Sequence, residues 1–152
     1  MNILSENDLK VFIDAVSHFF TELTGEPALV RTAYLADTDV PRFDYTGLIT
    51  LSGSFRGCVY FSAPQKLIRS LLIKLREPLD SEENLLDTVG EIANTISGNA
   101  RKHFGNGLEI SVPVTIKGAT DQIKSSTRAR PYAICLNWQR HEAVVVVDIE
   151  PT

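Results

Sequence analysis

The sequence predicts an α+β fold in which long helices pack on a largely antiparallel sheet of roughly five to six strands, because three observations agree. Apolar residues recur at helical spacing in three separate segments, and β-branched or aromatic runs fill much of the remainder. The elements follow the order helix, strands, two helices, strands. Short polar turns join neighbouring strands as hairpins, whereas a parallel sheet needs long crossover connections.

One domain, 1–152, is expected to account for the 152 residues, since domains take about 100 to 200 residues. The chain has 19 acidic residues against 15 lysines and arginines, and this excess of acid argues against a nucleic-acid binder. No apolar run approaches the ~20 residues of a membrane span, and no basic start precedes an apolar signal-peptide core. We therefore expect a cytoplasmic protein.

The first helix is predicted near residues 6–24. Ser5, with Asp8 three positions later, has the pattern of a capping box, and Gly25 followed by Pro27 ends the segment. The apolar stripe of this helix consists of Leu9, Phe12, Ile13, Val16, Phe19, Phe20 and Leu23.

Strands are predicted between this helix and the next. Residues 29–36 are weakly strand-like and precede a polar, proline-containing stretch at 37–44, which favours an edge strand and a loop. The strongest hairpin joins residues 46–51 to residues 57–62, because the connection at 52–56 contains a glycine that permits a tight reversal.

A second helix is predicted to begin with Ser62 as its cap and Pro64 in its first turn, and to end before Pro78. A third helix of about 23 residues begins at Asp80 or Ser81 and stops at Gly105. The apolar stripe of the second helix is Leu67, Ile68, Leu71, Leu72 and Leu75, and that of the third is Leu85, Val89, Ile92, Ala93, Ile96 and Ala100.

Three strands complete the predicted fold, at 108–117, 132–139 and 143–149. A polar turn at 140–142 joins the last two strands, and a polar loop occupies 118–130. The apolar run within the last strand would leave an edge prone to pairing if it lay at the margin of the sheet.

The side of the third helix opposite its apolar stripe carries Asp87, Glu91, Asn94 and Gly98, because steps of four, three and four return to one face. This spacing alone is more typical of an ordinary solvated helix face than of a functional site. Gly90 and Gly98 each cost about 1 kcal/mol relative to alanine inside a helix, so they call for a packing or docking explanation.

Metal binding and unrelated hydrolase chemistry have little support. Cys58 and Cys135 lack CxxC spacing, and His18, His103 and His141 are scattered, so no metal ligated by this chain is expected. No Gly-x-Ser-x-Gly elbow or Cys–His pairing is evident either.

The segment 87–100, which reads DTVGEIANTISGNA, resembles the central helix of CheX in the CheC/CheX/FliY family of chemotaxis phosphatases. The likeness covers about residues 45–117, because 46–53 with 57–64 resembles the family's paired strands before a helix, and 111–113 resembles the strand after its active helix. Asp87 fills the family's acidic or serine position four before the glutamate, and Pro113 fills its downstream proline. Only 18 residues separate Asn94 from Pro113, and this short gap, together with the single Glu-x-x-Asn motif, resembles the CheX branch and implies a CheC-like fold.

This resemblance implies a phosphatase that hydrolyses the aspartyl phosphate of a CheY-like response regulator. Asn94 would position the attacking water and Glu91 would dock a lysine of the receiver domain, with Asp87 and Gly98 contributing to partner binding. The Mg²⁺ would belong to the phosphorylated partner, so no cofactor is expected on this chain. A homodimer formed through the sheets is also implied. The alternative is a non-catalytic adaptor that binds a receiver domain or a flagellar-switch component.

Overall fold

The computed structural model describes residues 4–36, 40, 42–78, 81–118 and 130–152. The candidate cap Asp80 and most of the predicted loop at 118–130 lie outside these residues. The elements are α1 (Glu6–Thr24), β1 (Leu29–Leu35), β2 (Tyr45–Gly53), β3 (Phe55–Ala63), α2 (Gln65–Lys74), α3 (Glu82–Phe104), β4 (Leu108–Ile110), β5 (Val114–Lys117), β6 (Tyr132–Trp138) and β7 (His141–Pro151).

The strands form an antiparallel sheet in the order β1-β6-β7-β3-β2-β4, and β5 pairs with β2 beside β4. The main core lies between one face of this sheet and the helices. A smaller apolar cluster around Tyr60, Val144 and Val146 occupies the other face, where Val40 and Phe43 pack against it. The predicted α+β class and helix-on-sheet arrangement are confirmed.

The sheet has seven strands among the described residues, whereas five to six were expected, because the predicted strand at 108–117 is interrupted. Ile110 lies opposite Leu51, and Val114 lies opposite Leu48. The segment from Ile110 to Val114 therefore spans four residue steps, whereas the facing part of β2 spans three. The surplus residue forms a bulge around Pro113, whose ring nitrogen has no hydrogen to donate to a ladder.

α1 begins and ends where the sequence predicts. The Ser5 Oγ accepts a hydrogen bond from the Asp8 backbone N–H at 3.1 Å, and the Asp8 carboxylate accepts one from the Ser5 N–H at 3.1 Å. Gly25 follows the helix with φ of 75°, a left-handed conformation that glycine adopts without steric cost.

The predicted cap of α2 is wrong. Ser62 lies inside β3, where its hydroxyl accepts hydrogen bonds from the Phe43 N–H at 2.8 Å and from the Thr46 hydroxyl at 2.9 Å. β3 therefore runs to Ala63, and Pro64 stands before the first turn rather than in it. The Asp44 carboxylate replaces the expected cap by accepting from the Gln65 N–H at 2.8 Å.

α3 matches its prediction closely. Ser81 is the cap, because its hydroxyl accepts from the Asn84 N–H at 3.2 Å, and Gly105 ends the 23-residue helix with φ of 96°. Every residue of the predicted apolar stripe is buried, with Leu85 the most exposed of them at 1%.

The last hairpin differs from its prediction in two respects. The turn consists of Gln139 and Arg140, with φ of 49° and 66°, while His141 already pairs with Trp138. Two central residues with positive φ are typical of the tight turn that matches strand twist. β7 lies between β6 and β3, so its run 144–147 is not at an edge as the sequence suggested.

No helix within the described part of the chain is both long enough and apolar enough to cross a membrane.

Candidate functional site

α3 lies unusually close to the sheet because of a glycine in β2. A Cβ added at Gly47 would collide with the carbonyl oxygen of Val89 in α3. A side chain at this position would therefore push the helix outwards. Glycine inside a strand often marks such a close backbone approach, and here it fixes the height of α3 above β2.

Gly90 of α3 is a packing glycine. A Cβ built on it would lie 3.1 Å from Thr115 Cγ2 and 3.3 Å from Pro113 Cβ, so β5 and the bulge before it fit against this helix position. Gly98 differs, since a Cβ there would meet nothing within 4 Å. Packing thus explains the first of the two helix glycines, and the second borders open space.

The outward face of α3 brings together all four residues singled out from the sequence. Asp87 and Glu91 are exposed, while Asn94 and Gly98 are half-buried, and all four lie opposite the buried stripe. The roles assigned to these four residues stay predictions.

The side chains of Asp87, Glu91 and Asn94 make no hydrogen bond or ion pair with any residue that the structure describes. Glu91 uses only its backbone carbonyl, which accepts a 2.9 Å hydrogen bond from the Thr95 hydroxyl. Glu82, at the start of the same helix, is engaged instead by Lys117 Nζ at 3.0 Å, and this hydrogen bond raises the pKa of the lysine. The outward face therefore presents two carboxylates and an amide available to a partner.

The two flanks of this face have different shapes. On one side Asp87 and Glu91 border an open groove between α1, α2 and α3. On the other side Pro113 packs on Gly90, one helical turn before Asn94. A partner that meets the face would contact an apolar groove beside the carboxylates and the Pro113 segment on the opposite flank.

Comparison with known proteins identifies the family. Residues 45–137 match the family model described as chemotaxis phosphatase CheX. The chain belongs to the CheX family. No curated protein sequence matches it significantly. The matched region contains β2, β3, α2, α3 and the bulge, and so includes every candidate site residue of this CheX-family chain.

Solved structures share the fold of this CheX-family protein. Chemotaxis protein CheX from Vibrio vulnificus is 19% identical, with a TM-score of 0.83, 95% of this chain covered and 99% of the other. A putative chemotaxis protein from Desulfovibrio vulgaris Hildenborough is 22% identical, with a TM-score of 0.83 and coverage of 98% and 100%. The CheX–CheY–BeF3–Mg²⁺ complex from Borrelia burgdorferi matches at 19% identity and a TM-score of 0.74, with coverage of 93% and 97%.

The described residues of this CheX-family chain hold no group of three or more His, Cys, Asp and Glu side chains placed to bind a metal ion. Cys58 and Cys135 are both half-buried free thiols. Burial is the main reason that the pKa of Cys58 is raised to about 12, which leaves its thiol protonated and poorly nucleophilic.

Sequence reasoning missed two features of the CheX-family site. Gly47 gave a signal as a lone glycine inside a β-branched strand, but only the packing of α3 shows its purpose. The groove gave no signal in the sequence. Its lining residues Leu23 and Leu75 fit the apolar stripes of their helices, although Leu23 is 48% exposed in the structure.

Proposed function

We propose that this protein accelerates hydrolysis of the aspartyl phosphate of a CheY-like response regulator, using the outward face of α3. The observation that carries the proposal is the availability of the Glu-x-x-Asn pair: Glu91 and Asn94 face outwards, and their side chains engage no described residue. Membership of the CheX family and the fold shared with a CheX solved in complex with CheY support it.

Asn94 positions the attacking water. Hydrolysis of an acyl phosphate needs little covalent assistance, but the water must lie in line with the phosphorus and opposite the leaving carboxylate oxygen. An amide offers both a donor and an acceptor, and it is neutral, so it orients water without repelling the phosphoryl oxygens. A carboxylate at the same place would add negative charge next to an anion.

Glu91 docks the partner. A lysine ammonium of the receiver domain would form a charge-assisted contact with this exposed carboxylate and align α3 with the phosphorylated aspartate. Asp87, one turn earlier, adds negative charge to the same approach, and Gly98 leaves room for the receiver backbone where a side chain would stand.

The metal ion belongs to the partner in this proposal. The Borrelia burgdorferi relative was solved with CheY, BeF3 and Mg²⁺, where BeF3 stands for the phosphoryl group. Mg²⁺ neutralises charge on the transferring phosphoryl oxygens, so this chain needs to supply only the amide and the docking carboxylate. The proposal assigns this activity to the cytoplasm.

The test is the decay of phosphate from purified, Mg²⁺-loaded receiver domains of the source organism. We expect Asn94→Ala to slow the stimulated decay on the order of 10²-fold with little change in affinity, since it removes only water positioning. Glu91→Ala should weaken both binding and rate. Asn99→Ala, the same substitution on the same helix but away from the outward face, is the control and should behave as wild type.

An adaptor that regulates by occupancy is the competing function. It predicts measurable receiver binding, no acceleration of phosphate loss, and no effect of Asn94→Ala on any output. Stimulated decay that survives Asn94→Ala unchanged would instead rule out the assigned role of the amide.

A further inference from the structure

The groove beside the outward face has an apolar floor. It has a volume of about 500 Å³ and lies between α1, α2 and α3. Phe19 and Leu71 form buried parts of its wall, whereas Leu23 is 48% exposed at its mouth and Leu75 is half-buried. An apolar concavity that is open to solvent is a typical anchor site for a large side chain of a partner.

The rim of the groove is acidic. Glu77, Asp87 and Glu91 are among its lining residues, and no lysine or arginine is among the described residues that line it. None of these three carboxylates forms an ion pair with a described residue. Like charges around a low-dielectric concavity reinforce one another, so the groove attracts cations and disfavours anions.

We propose that this groove binds an apolar side chain of the receiver domain that is flanked by lysine or arginine, and that it thereby selects which receivers the protein serves. This inference rests on the proposed function, because Glu91 belongs both to the groove and to the face that meets the phosphorylated site. The groove and the Glu-x-x-Asn pair then form one continuous contact surface.

The position of the groove indicates that it contributes to receiver binding rather than to hydrolysis of the phosphate. Asn94 is not among the residues that line it, and Glu91 is the one member of the Glu-x-x-Asn pair that does. A change in the groove away from Glu91 therefore raises the receiver concentration needed for half-maximal rate, while the rate at saturating receiver stays near that of wild type.

Leu23→Lys and Ile73→Lys form the matched pair for the test. Leu23 is 48% exposed and Ile73 is 62% exposed, and each lies near the C-terminus of its helix. Only Leu23 lines the groove. Lysine is a good helix former and is favourable near a helix C-terminus, so both variants retain the fold. Glu77→Lys reverses one charge on the rim without touching the apolar floor.

Binding is measured against each purified receiver domain of the source organism, loaded with Mg²⁺ and beryllofluoride, and phosphate decay is measured over a range of receiver concentrations. We expect Leu23→Lys and Glu77→Lys to bind about 10-fold more weakly or worse, with decay restored at high receiver concentration. Ile73→Lys should match wild type.

The outcomes separate the groove from the proposed function. In one outcome, Leu23→Lys and Glu77→Lys bind receivers as tightly as wild type while Asn94→Ala no longer accelerates phosphate loss. That result overturns the groove inference and leaves the proposed function in place. Acceleration of phosphate loss by Asn94→Ala at the wild-type rate, with weak receiver binding by Leu23→Lys, overturns the catalytic role of Asn94 and leaves the groove inference in place. Conversion of a dimer into monomers by Leu23→Lys identifies a second copy as the occupant and overturns the inference.

Discussion

At the scale of single residues, the sequence identifies the outward face of α3, but it does not explain the glycines. Asp87, Glu91, Asn94 and Gly98 share a face because helical periodicity fixes their direction, and no tertiary contact is needed to deduce it. The different reasons for Gly47, Gly90 and Gly98 depend on what other elements place against them. Sequence periodicity holds no such information.

The same glycine-to-alanine change should have unequal effects on stability at two positions of α3. Gly98→Ala should raise the free energy of unfolding by about 1 kcal/mol, because its Cβ meets open space and alanine is the better helix former. Gly90→Ala should raise the free energy of unfolding by less than this, or lower it, since the added Cβ would press on Pro113 and Thr115. Urea denaturation measures both. Equal stabilisation by the two variants would contradict the packing assigned to Gly90.

At the scale of elements, the helices follow the sequence more closely than the strands do. Caps and apolar periodicity are local, so α1 and α3 have their predicted bounds. Strand ends depend on partners far along the chain: Ser62 stays in β3 because it bonds to Phe43 and Thr46. The break at Pro113 depends likewise on register with β2.

The ends of α1 and α3 are joined by a pH-dependent contact. His103 Nε2 lies 3.0 Å from Asp8 Oδ1. Burial raises the pKa of Asp8, but the hydrogen bonds from His103 and Ser5 outweigh it, so the folded-state pKa lies below the ordinary value. The stabilisation is therefore fully present above the unfolded pKa of about 3.9 and is lost as the pH falls through the lower folded value.

Asp8→Asn tests this contact, because the amide oxygen still accepts from the Ser5 N–H while the charge is removed. We expect a loss below about 1 kcal/mol at pH 6, since the pair is partly exposed, and convergence with wild type once the pH falls below the lowered folded-state pKa of Asp8. Denaturant unfolding of wild type and Asp8→Asn at a series of pH values between 6 and the acid limit measures the difference in the free energy of unfolding. A deficit that stays constant down to acid pH would show that the charge of Asp8 does not contribute.

At the scale of the whole molecule, the sheet formed by the described residues has two edges, at β1 and at β4 with β5. Among the described residues, β1 is the longer edge strand and exposes Leu29 at 66% and Tyr34 at 38%. An apolar edge strand with no described strand on its outer side favours association, so we propose a homodimer joined through β1.

Light scattering after size-exclusion chromatography measures this association. The combined change Leu29→Glu with Tyr34→Glu should give a monomer, because carboxylates on both strands would repel across the pairing edge. Val112→Glu, at a residue 81% exposed near the opposite edge, is the matched control and should remain a dimer. A wild-type monomer, or a monomer produced only by the control, would contradict pairing through β1.

The outward face of α3 has a consequence for signalling over time. Its helix packs against β2 and β5, and the side chains of Asp87, Glu91 and Asn94 have no partner among the described residues, so none of the described contacts has to break before a receiver can bind. Under the proposed function the outward face is therefore ready to act whenever a phosphorylated receiver meets it. The lifetime of the phosphorylated signal would then depend on how much of this protein the cell contains, and adaptation would be tuned by its synthesis and degradation.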